Sequence, residues 1–458
     1  MPDKIIIALY FLMMLGIGLY AFKRGQASSS EGFFVAARKG GTLLMVGSLC
    51  ATFMGSSVVL GMAGRGYRMG LPGAWWLLVG AIGLAILGLF LAKRVRRFGL
   101  YTLPELVEKQ YGREAGLAAS LVIVVAWVAI AAAQIIAAGK ILNVLLPSWD
   151  LELLMGISTA VFVLYTVLGG QYSIIRTDFL QFGILAVGIM VSLGLVLDDI
   201  GGMSGLTDSL PEAYFSFPVN ASFGWYDWVL FLILTGATYV VGPDIYSRLF
   251  CARDEKVATS SAITAALMAI PIAFVIVLIG MGAKVMFPDI PSEECFPVVI
   301  QEVMPIGVSG LVIAALLAAI MSSADTVLLT TSTILGIDIH GKVFPHAGER
   351  RNLLISRLGV VIIGGLALLV AMHLRGIINS LFYSYTIFTS GIVVPVIAGF
   401  YKDKLKVNSA GALAAIVGGG SVALGIKLAE IENLELLGLG ICVILLFGVS
   451  WLTRGVKR

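Results

Sequence analysis

This sequence predicts an all-α polytopic membrane protein, and two observations support that fold class. Hydrophobic residues make up 59% of the 458 residues, charged residues only 13%, and the mean hydropathy is +0.99. Soluble domains carry about 25% charged residues, so this composition excludes a soluble domain. The apolar residues also fall in runs of about 20, the length at which a helix spans a bilayer.

Thirteen runs are long enough to be transmembrane helices. Written by residue number, the predicted spans are 4–22, 42–64, 72–92, 116–146, 151–170, 178–198, 225–247, 257–283, 305–335, 353–374, 379–400, 408–428 and 434–453. An odd number of spans places the two termini on opposite sides of the membrane.

The distribution of positive charge orients these spans. Most of the 31 Lys and Arg residues fall in alternate loops, beginning with the loop that contains Lys23 and Arg24, and that side is predicted to be the cytoplasm. The N-terminus is therefore expected outside and the C-terminus inside, in the plasma (inner) membrane. We expect no cleaved signal and no further domain after Thr453.

Two spans are interrupted near their middle. Residues 54–57 (Met-Gly-Ser-Ser) interrupt the second span, and residues 240–243 (Val-Val-Gly-Pro) interrupt the seventh, where proline removes a backbone donor. The second span enters from inside and the seventh from outside. Gly and Pro are frequent in membrane helices in general, so the alternative is that these breaks carry no function.

These matching breaks predict an inverted repeat of two five-helix units within a single transmembrane domain. The first repeat is 42–198 and the second is 225–400, with one extra helix before them at 4–22 and two after them at 408–453. In proteins built this way, unwound backbone and half-helix ends form the solute and ion sites near the bilayer midplane.

The ninth span carries a strip of oxygen-bearing side chains. Ala319, Ser322, Ser323 and Thr326 fall on one helical face, with Asp325 at its margin. A carboxylate in a membrane normally faces a cavity, a partner or an ion, and oxygens without His or Cys suit hard cations. The alternative is close helix packing through small residues.

Four segments together resemble the family of sodium/solute symporters that includes proline, galactose, sialic acid and choline carriers. They are residues 51–54 (Ala-Thr-Phe-Met), 168–181 (Leu-Gly-Gly-Gln-Tyr-Ser-Ile-Ile-Arg-Thr-Asp-Phe-Leu-Gln), 242–248 (Gly-Pro-Asp-Ile-Tyr-Ser-Arg) and 319–326 (Ala-Ile-Met-Ser-Ser-Ala-Asp-Thr). The resemblance covers essentially the whole chain. It implies a LeuT-like core, with sodium as the coupling ion.

The resemblance also implies a principal sodium site. Its ligands would be the backbone carbonyls of Ala51, Met54 and Ala319 and the hydroxyls of Ser322 and Ser323. All five positions have residues of the expected kind.

A second cation site, present in some members of the family, would lie at Asp178, Ser322, Asp325 and Thr326. The pattern departs from the sugar-acid type at Asp325, where a hydroxyl is common. Two nearby carboxyl groups could hold a second sodium ion or share a proton, and the sequence leaves both open. For Asp178 alone, a further alternative is an ion pair with Arg176.

The solute pocket is expected between the two breaks and the third, eighth and tenth core helices. The candidate residues are Phe53, Ser56, Ser57, Trp76, Trp127, Gln134, Thr235, Tyr239, Ser384 and Tyr385. For any one of the aromatic residues, packing or contact with lipid is the alternative role.

The cysteines, the histidines and the search for enzyme motifs give no further indication of function. The four cysteines are scattered and interpreted as free thiols, the three histidines are not at metal-ligand spacing, and no motif of an enzyme is present. Arg65, Arg68 and Arg248 lie near predicted helix ends, where surface anchoring is the simpler interpretation and gating the alternative.

The sequence therefore predicts a transporter rather than an enzyme. The predicted function is sodium-coupled symport of a small organic solute, such as an amino acid, a sugar acid or a monocarboxylate, by alternating access. The alternative is a gated channel or a membrane sensor of the same fold. We expect no cofactor, no nucleic-acid partner and no protein partner, only the solute, sodium and the lipid bilayer.

Overall fold

A computed structural model of the chain describes residues 2–23, 29–374, 376–429, 431, 434 and 436–455. Within these residues the protein is helical and has no β-strand, and two isolated bridges, Gly40 with Ala252 and Asn220 with Phe223, are its only β-type pairings.

The long apolar helices are labelled here in chain order. They are α1 (Pro2–Lys23), α2 (Thr42–Phe53), α3 (Ser57–Met69), α4 (Leu71–Arg97), α5 (Arg113–Leu145), α6 (Leu151–Asp199), α7 (225–241), α8 (Pro243–Cys251), α9 (Glu255–Met286), α10 (Val308–Val343), α11 (Gly348–Leu374), α12 (Ser380–Gly399), α13 (Ser409–Leu428) and α14 (Leu437–Leu452). Shorter helices cover Ser30–Val35, Leu103–Tyr111, Gly202–Ser209 and Cys295–Glu302.

The described residues contain ten helices long and apolar enough to cross a membrane, or eleven if the bent pair α2 and α3 is one span. The count of thirteen therefore stays a prediction. Two of the predicted spans fall within α6, and the thirteenth corresponds to the shorter helix α14.

Gly170 explains why α6 contains two predicted spans. A straight helix of 49 residues would be about 74 Å long, more than twice the hydrocarbon core of a bilayer. The helix is broken at Gly170, whose φ of 54° and ψ of −167° are not helical. A Cβ at this position would lie 2.6 Å from the Phe33 ring, so glycine also permits close packing there.

The two predicted helix breaks are present. Helices α2 and α3 are bent by 60°, with residues 54–56 between them, and α7 ends at Val241 directly before Gly242. Gly242 has a ψ of 130°, as expected for a residue before proline, because the ring of Pro243 disfavours the helical conformation there. A π-helical turn also flanks each break, at Ser57–Met62 and at Leu232–Gly236.

Helix α10 lies at the centre of the bundle. It packs against α1, α5, α6 and α11, and every residue from Val312 to Thr333 is buried. Its first turn is capped by Asp3 of α1, which accepts hydrogen bonds from the backbone N–H groups of Gly307 and Gly310 at 2.8 and 2.9 Å. The oxygen-bearing face of α10 is therefore held inside the protein, away from lipid.

Candidate functional site

The break after α2 frees backbone carbonyls, and α10 supplies hydroxyls to them. In an unbroken helix the carbonyl of Thr52 would accept from the N–H of Ser56. Here Ser56 N–H instead donates to Gln134 Oε1 at 2.9 Å, and the Thr52 carbonyl accepts from Ser323 Oγ at 2.8 Å. The interruption of the helix thus exposes a main-chain N–H group to α5 and a main-chain carbonyl oxygen to α10.

Ser322 makes the corresponding contact one residue earlier. Its hydroxyl lies 3.0 Å from the Ala51 carbonyl oxygen and 2.9 Å from the Ala319 carbonyl oxygen. We call Ala51, Ala319, Ser322 and Ser323 the serine cluster. Its members are at most 4% exposed, and its oxygens are uncharged.

Met54, the fifth predicted ligand, lies at the C-terminal cap of α2. Its φ of −92° and ψ of 45° turn the chain out of the helix, and it is fully buried. Gly55 follows, and a Cβ there would lie 2.5 Å from Ser323 Oγ and 2.9 Å from Gln134 Oε1. Only glycine therefore allows the break to approach both side chains.

A second group of polar side chains lies about one helical turn further along α10. Arg248, on α8, donates from Nη2 to Asp178 Oδ2 at 3.0 Å and to Thr326 Oγ1, and from Nε to Thr52 Oγ1 at 3.2 Å. Ser48 Oγ donates to the same Asp178 oxygen at 2.5 Å. We call Ser48, Thr52, Asp178, Arg248 and Thr326 the arginine cluster.

The two clusters are joined through the backbone of α10. Thr326 Oγ1 donates to the carbonyl of Ser322 at 2.7 Å, so one turn of the helix connects them.

Two interpretations from the sequence are wrong here. Asp178 pairs with Arg248 and not with Arg176, whose guanidinium donates to the Tyr172 carbonyl and lies 3.6 Å from the centre of the Tyr172 ring. Arg248 is not a surface anchor either, because its side chain and that of Asp178 are both 0% exposed.

Asp325 has a different environment from Asp178. It is fully buried, and its Oδ1 accepts from Thr166 Oγ1 at 3.1 Å. Its Oδ2 has no hydrogen-bond partner among the described residues, and no basic side chain there forms an ion pair with it. Of the two predicted acidic residues, Arg248 therefore forms an ion pair with Asp178 and not with Asp325.

A small cavity lies beside the serine cluster, between the two helix breaks, with a volume of about 40 Å³. Six of the ten predicted pocket residues line it, namely Phe53, Ser57, Trp127, Gln134, Tyr239 and Tyr385. The Phe53 and Tyr239 rings, one from each break, meet edge to face with their centres 6.2 Å apart.

The other four predicted pocket residues, Ser56, Trp76, Thr235 and Ser384, are buried but are not among the residues that line this cavity. Trp76 packs against Tyr385 and against Phe231 and Phe382.

Arg65 also belongs to this aromatic group. Its guanidinium lies 4.4 Å from the centre of the Phe231 ring and 4.9 Å from that of Trp76, and the residue is 7% exposed. Surface anchoring is therefore wrong for Arg65, whereas Arg68 is exposed.

Sequence reasoning missed several members of these groups. Thr52, Thr238 and Asp244 also line the cavity, Ser48 and Thr166 donate to the two buried carboxyl groups, and Thr52 accepts from Arg248. Ser48 and Thr52 are four residues apart in an apolar helix, a spacing that places both hydroxyls on one face. That spacing was a usable signal, whereas nothing local to Thr166 distinguishes it.

Known proteins resemble this chain over most of its length. A family model described as the sodium:solute symporter family matches residues 33–419. The sodium/glucose cotransporter of Vibrio parahaemolyticus is 27% identical over an alignment of 473 residues, which covers 93% of this chain and 85% of the relative. Sodium/glucose cotransporter 4 of Danio rerio is 25% identical over 413 residues, and the match covers 80% of this chain but only 62% of the relative.

Solved structures share the fold. A Na⁺-coupled sialic acid symporter in a substrate-bound outward-open state matches with a TM-score of 0.85 and 19% sequence identity, over 99% of this chain and 98% of that one. The predicted all-helical, LeuT-like fold is confirmed by such neighbours.

Proposed function

Because the chain belongs to the sodium:solute symporter family, we propose that it is a secondary active transporter that couples inward movement of sodium to the uptake of a small organic solute. The observation that carries this proposal is the serine cluster. Buried, uncharged oxygens from a helix break and from α10 converge there without His or Cys, which is a donor set for a hard cation.

We propose that sodium is held by the carbonyls of Ala51, Met54 and Ala319 and the hydroxyls of Ser322 and Ser323. Both hydroxyls donate to backbone carbonyls in this structure, and each can rotate so that its lone pairs face an ion. A sodium ion at this position would bridge α2 and α10. An ion that binds one conformation more tightly than the other shifts the equilibrium toward it, which is how binding would drive alternating access.

The solute is proposed to bind in the cavity between the breaks. Aromatic rings alternate there with hydroxyls and the Gln134 amide, and the cavity, about 40 Å³ in this structure, would have to widen to admit the solute. An amino acid, a sugar acid, a monocarboxylate or a similar solute would fit this lining. The names of the relatives add glucose and sialic acid as compounds to test.

The topology proposed for this function has thirteen spans. The repeats would be 42–198 and 225–400, with helix 4–22 before them and helices 408–453 after them, the N-terminus outside and the C-terminus in the cytoplasm of a plasma membrane. Two features support it: each repeat contains a broken helix near its beginning, and α6 is divided at Gly170 into two pieces of bilayer length.

The proposal is tested by uptake in proteoliposomes that contain the purified full chain. With an inward sodium gradient, a panel of radiolabelled amino acids, sugars, sialic acid and monocarboxylates should include a solute that accumulates above its outside concentration. Accumulation should disappear when a sodium ionophore dissipates the gradient. Uptake that only equilibrates would contradict symport, and so would accumulation that is insensitive to sodium.

A further inference from the structure

We infer that the transported solute carries a protonated amino group, and that the cavity binds this group at the carboxylate of Asp244. The inference rests on the proposed function and adds the chemical class of the solute to it. Asp244 lies directly after the second break and is partly exposed, although Pro243 and Ile245 on either side of it are buried. An amino acid or an organic amine would fit this site, whereas a sugar or a monocarboxylate would not use it.

The first argument is the charge of the cavity lining. Among the residues that the structure describes, Asp244 is the only acidic residue in this lining, which contains no Lys, Arg or His. Arg248, one turn further along α8, forms its ion pair with Asp178, and the described residues include no ion pair of Asp244. Arg65 lies outside the lining, on the aromatic rings described above. Because a carboxylate inside a protein requires a counter-charge, a cationic group of the solute would complement this cavity.

The second argument is the position of this carboxylate at the break. A Cβ at Gly242 would lie 2.8 Å from Asp244 Oδ1 and 2.5 Å from the Thr238 carbonyl oxygen, so both acceptors lie at the interruption itself. Pro243 has no N–H group to donate to the carbonyl of Tyr239, four residues earlier. Hydrogen-bond acceptors therefore predominate on this side of the cavity, and a protonated amino group brings donors and no acceptor.

The third argument is the charge at the end of the half-helix α8. The N-terminus of a half-helix has a partial positive charge, and in transporters it often faces an anionic group of the substrate. Here α8 begins at Pro243, and Asp244 in its first turn places a carboxylate of the chain itself at this end. An anionic group of a solute would be repelled by that carboxylate, whereas a cationic group would be attracted to it.

The fourth argument is the aromatic part of the lining. Phe53, Trp127, Tyr239 and Tyr385 all line the cavity, and the rings of Phe53 and Tyr239 come from the two different breaks. The face of an aromatic ring attracts a cation, and this attraction is strongest where water is excluded. Once the cavity has widened to admit the solute, these rings would flank the amino group that Asp244 binds.

The experiment compares solutes that differ only in the amino group. The purified full chain is reconstituted in proteoliposomes with an inward sodium gradient and tested with L-alanine against L-lactate, glucosamine against glucose, and ethanolamine against ethylene glycol. Any other solute that the uptake panel identifies is compared with its analogue in which a hydroxyl group replaces the amino group, or the reverse. The amino compound should be taken up with a half-saturating concentration at least about tenfold lower than that of its counterpart.

The two proposals fail in different ways. Sodium-driven accumulation that prefers the compound without an amino group would overturn this inference and leave the proposed function intact. If no compound is accumulated at the expense of the sodium gradient, the proposed function itself is contradicted.

Variants of Asp244 locate the preference in the cavity. Asp244→Asn removes the charge at nearly constant shape, so the preference for the amino compound should fall at least about tenfold, while protection by sodium alone against thermal unfolding stays unchanged. Asp244→Glu keeps the charge and should retain the preference. The matched control is Asp254→Asn, which removes an exposed carboxylate from the N-terminus of α9 and should change neither property. If Asp244→Asn instead weakens the protection by sodium and retains the preference, the carboxylate serves the ion and the inference is wrong.

Discussion

The serine cluster and the arginine cluster lie about one turn apart on α10, and they offer a cation opposite environments. The serine cluster has uncharged oxygens, among them the main-chain carbonyl of Ala51 at the break after α2. The arginine cluster has a carboxylate and hydroxyls of similar burial, but Asp178 Oδ2 and Thr326 Oγ1 already contact Arg248. The same oxygen-bearing face of α10 thus meets main-chain carbonyls at one turn and a buried guanidinium at the next.

The largest expected effect comes from breaking the arginine cluster. Asp178→Ala leaves the guanidinium of Arg248 buried without its counter-charge, and loss of one partner of a buried ion pair costs about 3–5 kcal/mol. We expect a large fall in the unfolding temperature of the detergent-purified protein. The matched control is Glu255→Ala, which breaks the surface pair with Arg97 and should lower this temperature much less. Equal effects of the two changes would contradict the assignment of Asp178 and Arg248 as a buried pair.

The next effect concerns the serine cluster. Replacing both Ser322 and Ser323 by Ala removes two of five proposed ligands, and we expect the sodium concentration for half-maximal uptake to rise at least about tenfold, or about 1.4 kcal/mol. The protein should still insert, because alanine is more apolar than serine in a membrane helix. Protection by sodium against thermal unfolding measures the same loss without transport.

Ser332→Ala is the control for this double variant. Ser332 is also fully buried on α10, but its hydroxyl donates only to the carbonyl of Leu329. Its sodium dependence should match that of the wild type. If the double variant retains the wild-type half-saturation, the serine cluster is not the sodium site.

A smaller effect is expected at Gln134, which connects the break to the cavity. Gln134→Met leaves the Ser56 N–H without its acceptor, and an unsatisfied buried donor costs about 1–3 kcal/mol. Stability to denaturation and uptake should fall together. Gln134→Glu retains an acceptor at the same reach and is the control for this hydrogen bond. If Gln134→Met is as stable as the wild type, the contact does not support the break.

The sequence predicted the serine cluster better than the arginine cluster, for a physical reason. Glycine and proline mark a break locally, and the hydroxyls at 322 and 323 are adjacent in the chain, so both halves of the serine cluster are visible in short segments. The partner of Asp178 is 70 residues away in the chain, on another helix. Arg176, only two residues away, was the partner that local reasoning offered.

The same limit applies to the fold. Apolar runs predicted where the helices lie, and both breaks are at the expected residues. The runs did not show that 151–170 and 178–198 are joined by helix. The polar residues between them end the apolar run, but they are helical, and within α6 the backbone leaves helical geometry at Gly170. Nor could the apolar runs show which four of the ten pocket candidates lie outside the cavity. The residues that face a cavity depend on how each helix is oriented about its own axis in the packed bundle.

The last prediction concerns Asp325, which lies beside both clusters and belongs to neither. Its carboxyl group accepts a hydrogen bond from Thr166, and the buried guanidinium of Arg248 pairs with Asp178 instead. A charged Asp325 would attract sodium to the neighbouring serine cluster, so protonation should weaken sodium binding, and acidification should raise the half-saturating sodium concentration. Asp325→Asn cannot titrate, and it should remove this pH dependence while the sodium Hill coefficient stays unchanged.

The opposite result has an equally definite meaning. If Asp325→Asn lowers the sodium Hill coefficient toward one and leaves the pH dependence intact, Asp325 holds a second sodium ion and the contrast between the two clusters fails. If neither changes, the carboxyl group has only the structural role indicated by its hydrogen bond from Thr166. Thr166→Val then provides the discriminating measurement, because loss of that bond should destabilise the protein without altering the sodium or the pH dependence of uptake.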